Sequence, residues 1–166
     1  MSQPTETRER TGVFDTEFAW QSGAIAGAVA TVAMGLVITV VEPELISELI
    51  AGLYGMSGNL LVGWLAHLIH GIVFGVLFAY VLMDPALYGA SQAYWRTVVA
   101  GVLYGLFLAV AGGGIVMPIW LAVVGFAGPP SIPFLDPTFL AWHVVYGVVL
   151  GVVFPYVADR GPGDEP

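Results

Sequence analysis

The sequence contains no cysteine and no lysine. Without cysteine there can be no disulfide, no thiolate metal site and no cysteine-ligated cluster. Charged residues of all kinds make up only 10% of the chain, against about 25% in an ordinary soluble domain. A soluble domain so poor in charge would have no polar skin. Apolar residues take the place of the missing charges. They make up 58% of the 166 residues, and the mean hydropathy is +0.87. A lipid-facing exterior is the physical alternative to a polar surface. The remaining charge is lopsided, with twelve acids against four arginines and a net charge of −8. That balance repels a phosphate backbone and argues against nucleic acid as a partner. Acidic polar segments without lysine suit a cytoplasm of high salt, where carboxylates keep their hydration and their repulsion is screened.

Several kinds of chemistry are missing as well. The chain has no nucleotide-binding loop, no nucleophile–histidine–acid set and no paired intramembrane carboxylates. The apolar runs 20–41, 60–83, 97–127 and 138–158 contain no Asp, Glu, Lys or Arg, so the buried charge usual in an ion-coupled transporter is absent from them. They also carry too few polar side chains to line a solute channel. No enzymatic activity is expected.

What is present is four runs, each with the roughly 20 apolar residues that a bilayer core requires. Residues 1–18 are polar and read as a cytoplasmic tail. The first run is too long for a cleaved secretory signal and reads as an uncleaved span. Glu42-Pro43 ends it. Over 43–54 a helical period places Leu45, Ile46, Leu49, Ile50 and Leu53 on one face and Glu44, Ser47 and Glu48 on the other. This predicts a short helix lying in the membrane interface. A second span over Leu60–Met83 leads to a polar loop at 84–95. A third span starts near Trp95-Arg96. Pro118 interrupts its apolar run, and Gly112-Gly113-Gly114 marks a place to bend. Asp136-Pro137 opens the fourth span, and 159–166 is a second polar tail.

The arginines fix the expected orientation. Arg8, Arg10, Arg96 and Arg160 all fall on one side of a four-span chain, and the positive-inside rule makes that side cytoplasmic. The other two connections carry Glu42, Glu44, Glu48 and Asp136 and no base. Trp20 and Trp95 suit the inner interface. Trp64, Trp120 and Trp142 suit an outer aromatic belt, and Tyr80 and Tyr156 the inner one.

Part of the second span is written again in the fourth. His67, Gly71, Gly75, Phe78 and Tyr80 recur as His143, Gly147, Gly151, Phe154 and Tyr156, at an offset of 76. Ala26-Gly27 aligns with Ala100-Gly101, and Pro43 with Pro118. The expected architecture is an all-α, polytopic membrane four-helix bundle made of two parallel two-helix repeats, 19–83 and 96–158, N-in and C-in. The expected location is the cell membrane. The lipid bilayer is the principal partner, with further copies or other membrane subunits beside it.

On a helix, His67, Gly71, Gly75 and Phe78 form one stripe, and His143, Gly147, Gly151 and Phe154 form another. Gly27 and Gly101 lie on small-residue stripes of the first and third spans. Such stripes let helix backbones approach closely in lipid, and on that reading the glycines are packing residues. The histidines have three readings. His67 and His143 could hold one haem b. His67, His70, His143 and Tyr146 could bind a quinone or move a proton. Or each imidazole could simply bond a backbone carbonyl, a Trp or a Thr. If the two His-Gly-Gly stripes pack on each other, the axes come to or below the usual roughly 8–10 Å, too close for a macrocycle between the histidines. Three histidines without a nearby acid make a poor zinc site, so no metal is expected.

The HxxxG…GxxFxY signature at 67–80 and 143–156 resembles small uncharacterised four-helix membrane proteins of haloarchaea, a family of unknown function sometimes labelled histidine kinase. The resemblance covers nearly the whole chain and implies the fold, but it supplies no catalytic residues. The longest soluble stretch, 1–18, has no room for an ATP-binding domain. The expectation is a non-enzymatic accessory, scaffold or sensor bundle without a cofactor. The alternative is an electron-transfer subunit that binds haem b or quinone at His67 and His143.

Overall fold

The computed structural model describes residues 16–158 apart from Gln92. The tails expected at the two ends lie outside the described residues, save for positions 16–18. Four long helices carry the fold: α1 (Thr16–Val41), α2 (Leu60–Leu82), α3 (Tyr94–Val123) and α4 (Pro137–Ala158). There is no strand among the described residues. All four helices are long and apolar enough to cross a membrane, and the protein is a multi-pass helical bundle. α1 begins ahead of Trp20 because Thr16-Glu-Phe-Ala19 contains no residue that breaks a helix.

The connections follow their local chemistry. Asn59 caps α2, its side chain accepting from Val62 N at 3.1 Å. The polar stretch expected as a loop at 84–95 contains a 3₁₀ turn at Pro85–Leu87 and one helical turn at Tyr88–Ser91. Asp84 Oδ1 sets that turn by accepting from Ala86 N at 2.8 Å. Thr97 on α3 reaches back to Ala90 O at 3.1 Å.

Pro118 does not interrupt the third span. The helix widens into π-type hydrogen bonding over Leu108–Val116, across the three glycines, and tightens again at Met117. The proline then stands in the first turn of the resumed α-helix, where its missing N–H matters least. Gly114 O accepts from Phe134 N at 2.9 Å, so the loop before α4 satisfies backbone that the wide turn loosens.

Around the bundle the order is α2, α1, α4, α3. α1 packs on both α2 and α4, and α3 packs on α4. α2 and α3 do not pack along their length. They meet at Tyr104, whose hydroxyl donates to Phe74 O at 2.9 Å and whose ring lies 5.3 Å from that of Phe78. The core runs along the axis through Ile38, Phe78, Leu150 and Phe154, all essentially inaccessible.

The glycine stripes explain the pairing. A Cβ added at Gly27 would lie 2.9 Å from Gly75 Cα, and one added at Gly101 would lie 3.0 Å from Gly151 Cα. Gly71 and Gly147 sit in the same two seams, against Thr31 and against Val102 respectively. Backbone thus touches backbone between α1 and α2 and between α3 and α4. The two His-Gly-Gly stripes face different neighbours and not each other.

Candidate ligand cavity

The segment after α1 is helical from Pro43 and π-type over Leu45–Ile50. Its two faces are those expected, with Glu44 and Glu48 exposed and Ile46 fully buried. The apolar face is not spent on lipid. It folds over the bundle, where Ile46 O sits against Gly63 of α2, and Leu53 O accepts from Trp120 Nε1 of α3 at 2.8 Å. The segment therefore bridges the open side between α2 and α3.

Beneath it lies a cavity of about 370 Å³, within the range typical of small-molecule sites. Leu45, Leu49 and Tyr54 line it from the bridging segment, Thr31 and Met34 from α1, and His67, His70 and Phe74 from α2. Gly112, Val116 and Trp120 of α3 and Phe139, His143 and Tyr146 of α4 complete the wall. Both π-type segments face this space. Gly112 leaves it open, since a Cβ there would have nothing within 4 Å, whereas Gly113 makes room for the Phe139 ring.

The four residues singled out in the sequence as a candidate site come together here. Tyr146 is buried and donates its hydroxyl to Gly71 O at 2.8 Å, joining α4 to α2. His143 Nδ1 lies 3.0 Å from Phe139 O. A carbonyl can only accept, so Nδ1 carries the proton and the neutral ring leaves a lone pair on Nε2. The Phe139 ring lies 4.6 Å from the imidazole and holds it in place. His70 Nε2 pairs with Tyr54 OH at 2.8 Å. His67 is 7% exposed, edge-on to Trp64 at 6.0 Å. Its Nε2 is a buried side-chain nitrogen without a hydrogen-bond partner among the described residues. A buried polar atom left unpaired costs about 1–3 kcal/mol. No protein-family model, curated protein or solved structure matches the chain. Among the described residues no group of three or more His, Cys, Asp or Glu could hold a metal ion.

Several residues of the cavity carry no sequence signal. Tyr54 lies in a turn and meets His70 only because the bridging segment folds back. Gly112 looks like one of three equivalent glycines until the π turn separates their environments. Phe139 had a usable signal, since it stands one helical turn before His143. Trp142 differs from the expected belt residue. It is 9% exposed, and its Nε1 donates to Glu42 Oε2 at 3.2 Å, so it ties α4 to the end of α1.

Proposed function

We propose that this chain is a non-enzymatic accessory or sensor bundle of the cell membrane whose working part is the histidine-lined cavity. The observation that carries this reading is the convergence of all three histidines, from α2 and α4, on one apolar space left open between α2 and α3. A bundle built only for tight packing has no use for a 370 Å³ space beside an unpaired buried imidazole. Orientation with both ends inside and descent from a duplicated two-helix unit belong to the same reading. The arginine placement and the pairwise glycine seams support them, and the acid-rich, lysine-free composition supports a halophilic setting.

Native mass spectrometry of protein extracted from its own membranes tests the cavity. Wild type is expected to carry a small apolar molecule that Gly112→Leu lacks, because the new side chain would fill the space without meeting a neighbour. Wild type and variant with the same bound mass, or with none, would refute the reading. For orientation, the absence of cysteine makes single-cysteine labelling clean. Ser57→Cys should react with an impermeant maleimide on intact cells, and Ala86→Cys only after lysis. The reverse pattern would invert the topology.

A second reading, an electron-transfer subunit with haem b between His67 and His143, is favoured by one observation. A metal-bound imidazole commonly donates its other nitrogen to a carbonyl, as His143 does to Phe139. Against it, no described lining residue is a cation to meet the propionates. A Soret band lost in both His67→Ala and His143→Ala would establish haem, and a colourless protein would remove it.

A further inference from the structure

The hydrogen-bonding groups of the cavity wall are unbalanced. The side-chain donors whose roles are fixed are already occupied inside the protein. Thr31 Oγ1 donates to Gly27 O at 2.7 Å, Trp120 Nε1 to Leu53 O at 2.8 Å and Tyr146 OH to Gly71 O at 2.8 Å. His143 Nδ1 donates to Phe139 O at 3.0 Å. Tyr54 OH and His70 Nε2 pair at 2.8 Å, and one further donor, His70 Nδ1–H or Tyr54 O–H according to the tautomer, stays with that pair. The acceptor whose role is fixed is the lone pair of His143 Nε2, and the Nε2 of the lining residue His67 is buried without a partner among the described residues.

We infer that the cavity takes a neutral, membrane-soluble ring compound bearing a hydroxyl, with the hydroxyl donating to His143 Nε2. This deepens the proposed function and rests on it. The fixed lone pair of His143 Nε2 recognises a donor, which the reduced, hydroxylated form of a quinone-like molecule supplies at this position and a carbonyl does not. The ring is indicated by the aromatic walls Phe74, Phe139 and Trp120. Neutrality follows from the absence of any charged side chain among the described lining residues, since an ion there would be desolvated without a partner.

The test is a titration of the full chain in one detergent at fixed concentration, so that partition into the micelle is common to every arm. Binding is read by native mass spectrometry for 4-nonylphenol, its methyl ether and 1-dodecanol. The ether keeps the shape and loses the donor, and dodecanol keeps the hydroxyl and loses the ring. The phenol is expected to bind about tenfold more tightly than the ether, the worth of one hydrogen bond, and more tightly than dodecanol. His143→Phe should erase the preference for phenol over ether while apolar binding persists, and Gly112→Leu should abolish both. An ether that binds as well as the phenol would overturn the donor inference and leave the cavity reading intact. Dodecanol binding as well as the phenol would overturn the ring. Binding unaffected by Gly112→Leu would sink the cavity reading itself. Should His143→Phe fail to fold, the phenol-to-ether ratio in wild type still decides the donor question.

Discussion

Gly75→Leu is expected to unfasten α1 from α2 and to give a protein that no longer survives mild detergent. A Cβ at Gly75 would lie 2.6 Å from Gly27 Cα and 2.9 Å from Gly27 N. Both are backbone atoms, and no rotamer change can move them aside. Overpacking usually costs about 1–3 kcal/mol because neighbouring side chains yield. Here a whole helix must be displaced, so the upper end of that range is the minimum expected. Nothing else holds the pair as closely, because lipid competes for every other apolar contact between them. Gly112→Leu is the matched control. It is the same exchange in another transmembrane helix, at a site where the new Cβ meets nothing, and it also removes a poor helix former. Thermal melts of protein stripped of bound ligand, in one detergent, should therefore show a large drop for Gly75→Leu and none for Gly112→Leu. Equal melting temperatures would mean that the glycine seam does not hold the bundle.

The same seam shows what the sequence discloses and what it leaves out. Charge-free runs and their length announce four helices, because in lipid only a helix or a closed barrel satisfies its own backbone. The glycine stripes announce close approach, but a stripe does not name its partner. The tension between a tight His-Gly-Gly stripe and room for a ligand dissolves once Gly71 and Gly75 face α1, and Gly147 and Gly151 face α3. Pro118 carried the wrong local message for a similar reason. Proline reads as a break, yet a π turn over the glycines just before it re-registers the helix so that the ring falls in a first turn. His67 and His143 were legible as a pair from the echo at 67–80 and 143–156. Their shared cavity was not, because it depends on where 43–54 folds. An amphipathic segment is equally at home on lipid headgroups and over a gap between helices, and the open side between α2 and α3 decides for the gap. Tyr54 entered the site only through that choice, and Gly112 through the π turn of α3.

Phe154→Ala is expected to cost about 2–3 kcal/mol of bundle stability. Phe154 is fully buried and meets Phe78 edge to face at 5.6 Å. In soluble proteins such a truncation costs about 3–5 kcal/mol, part of it the transfer of the ring from water. A separated helix in a bilayer keeps its ring in hydrocarbon, so the transfer part largely vanishes. The void and the lost dispersion contacts remain. Phe78→Ala should cost a similar amount, with Tyr104 losing a neighbour 5.3 Å away. The double variant should be less destabilised than the two singles added together, by about 0.5–1.5 kcal/mol, the value of one aromatic pair. Strict additivity would mean that the two rings, though in contact, act independently. Neither ring lines the cavity, so the retained mass seen by native mass spectrometry should be unchanged wherever the variants stay folded. A Phe154→Ala protein that melts like wild type but loses the bound molecule would reverse this assignment. It would place Phe154 in the binding apparatus and take the packing role away from the stripe that His143, Gly147, Gly151 and Phe154 share.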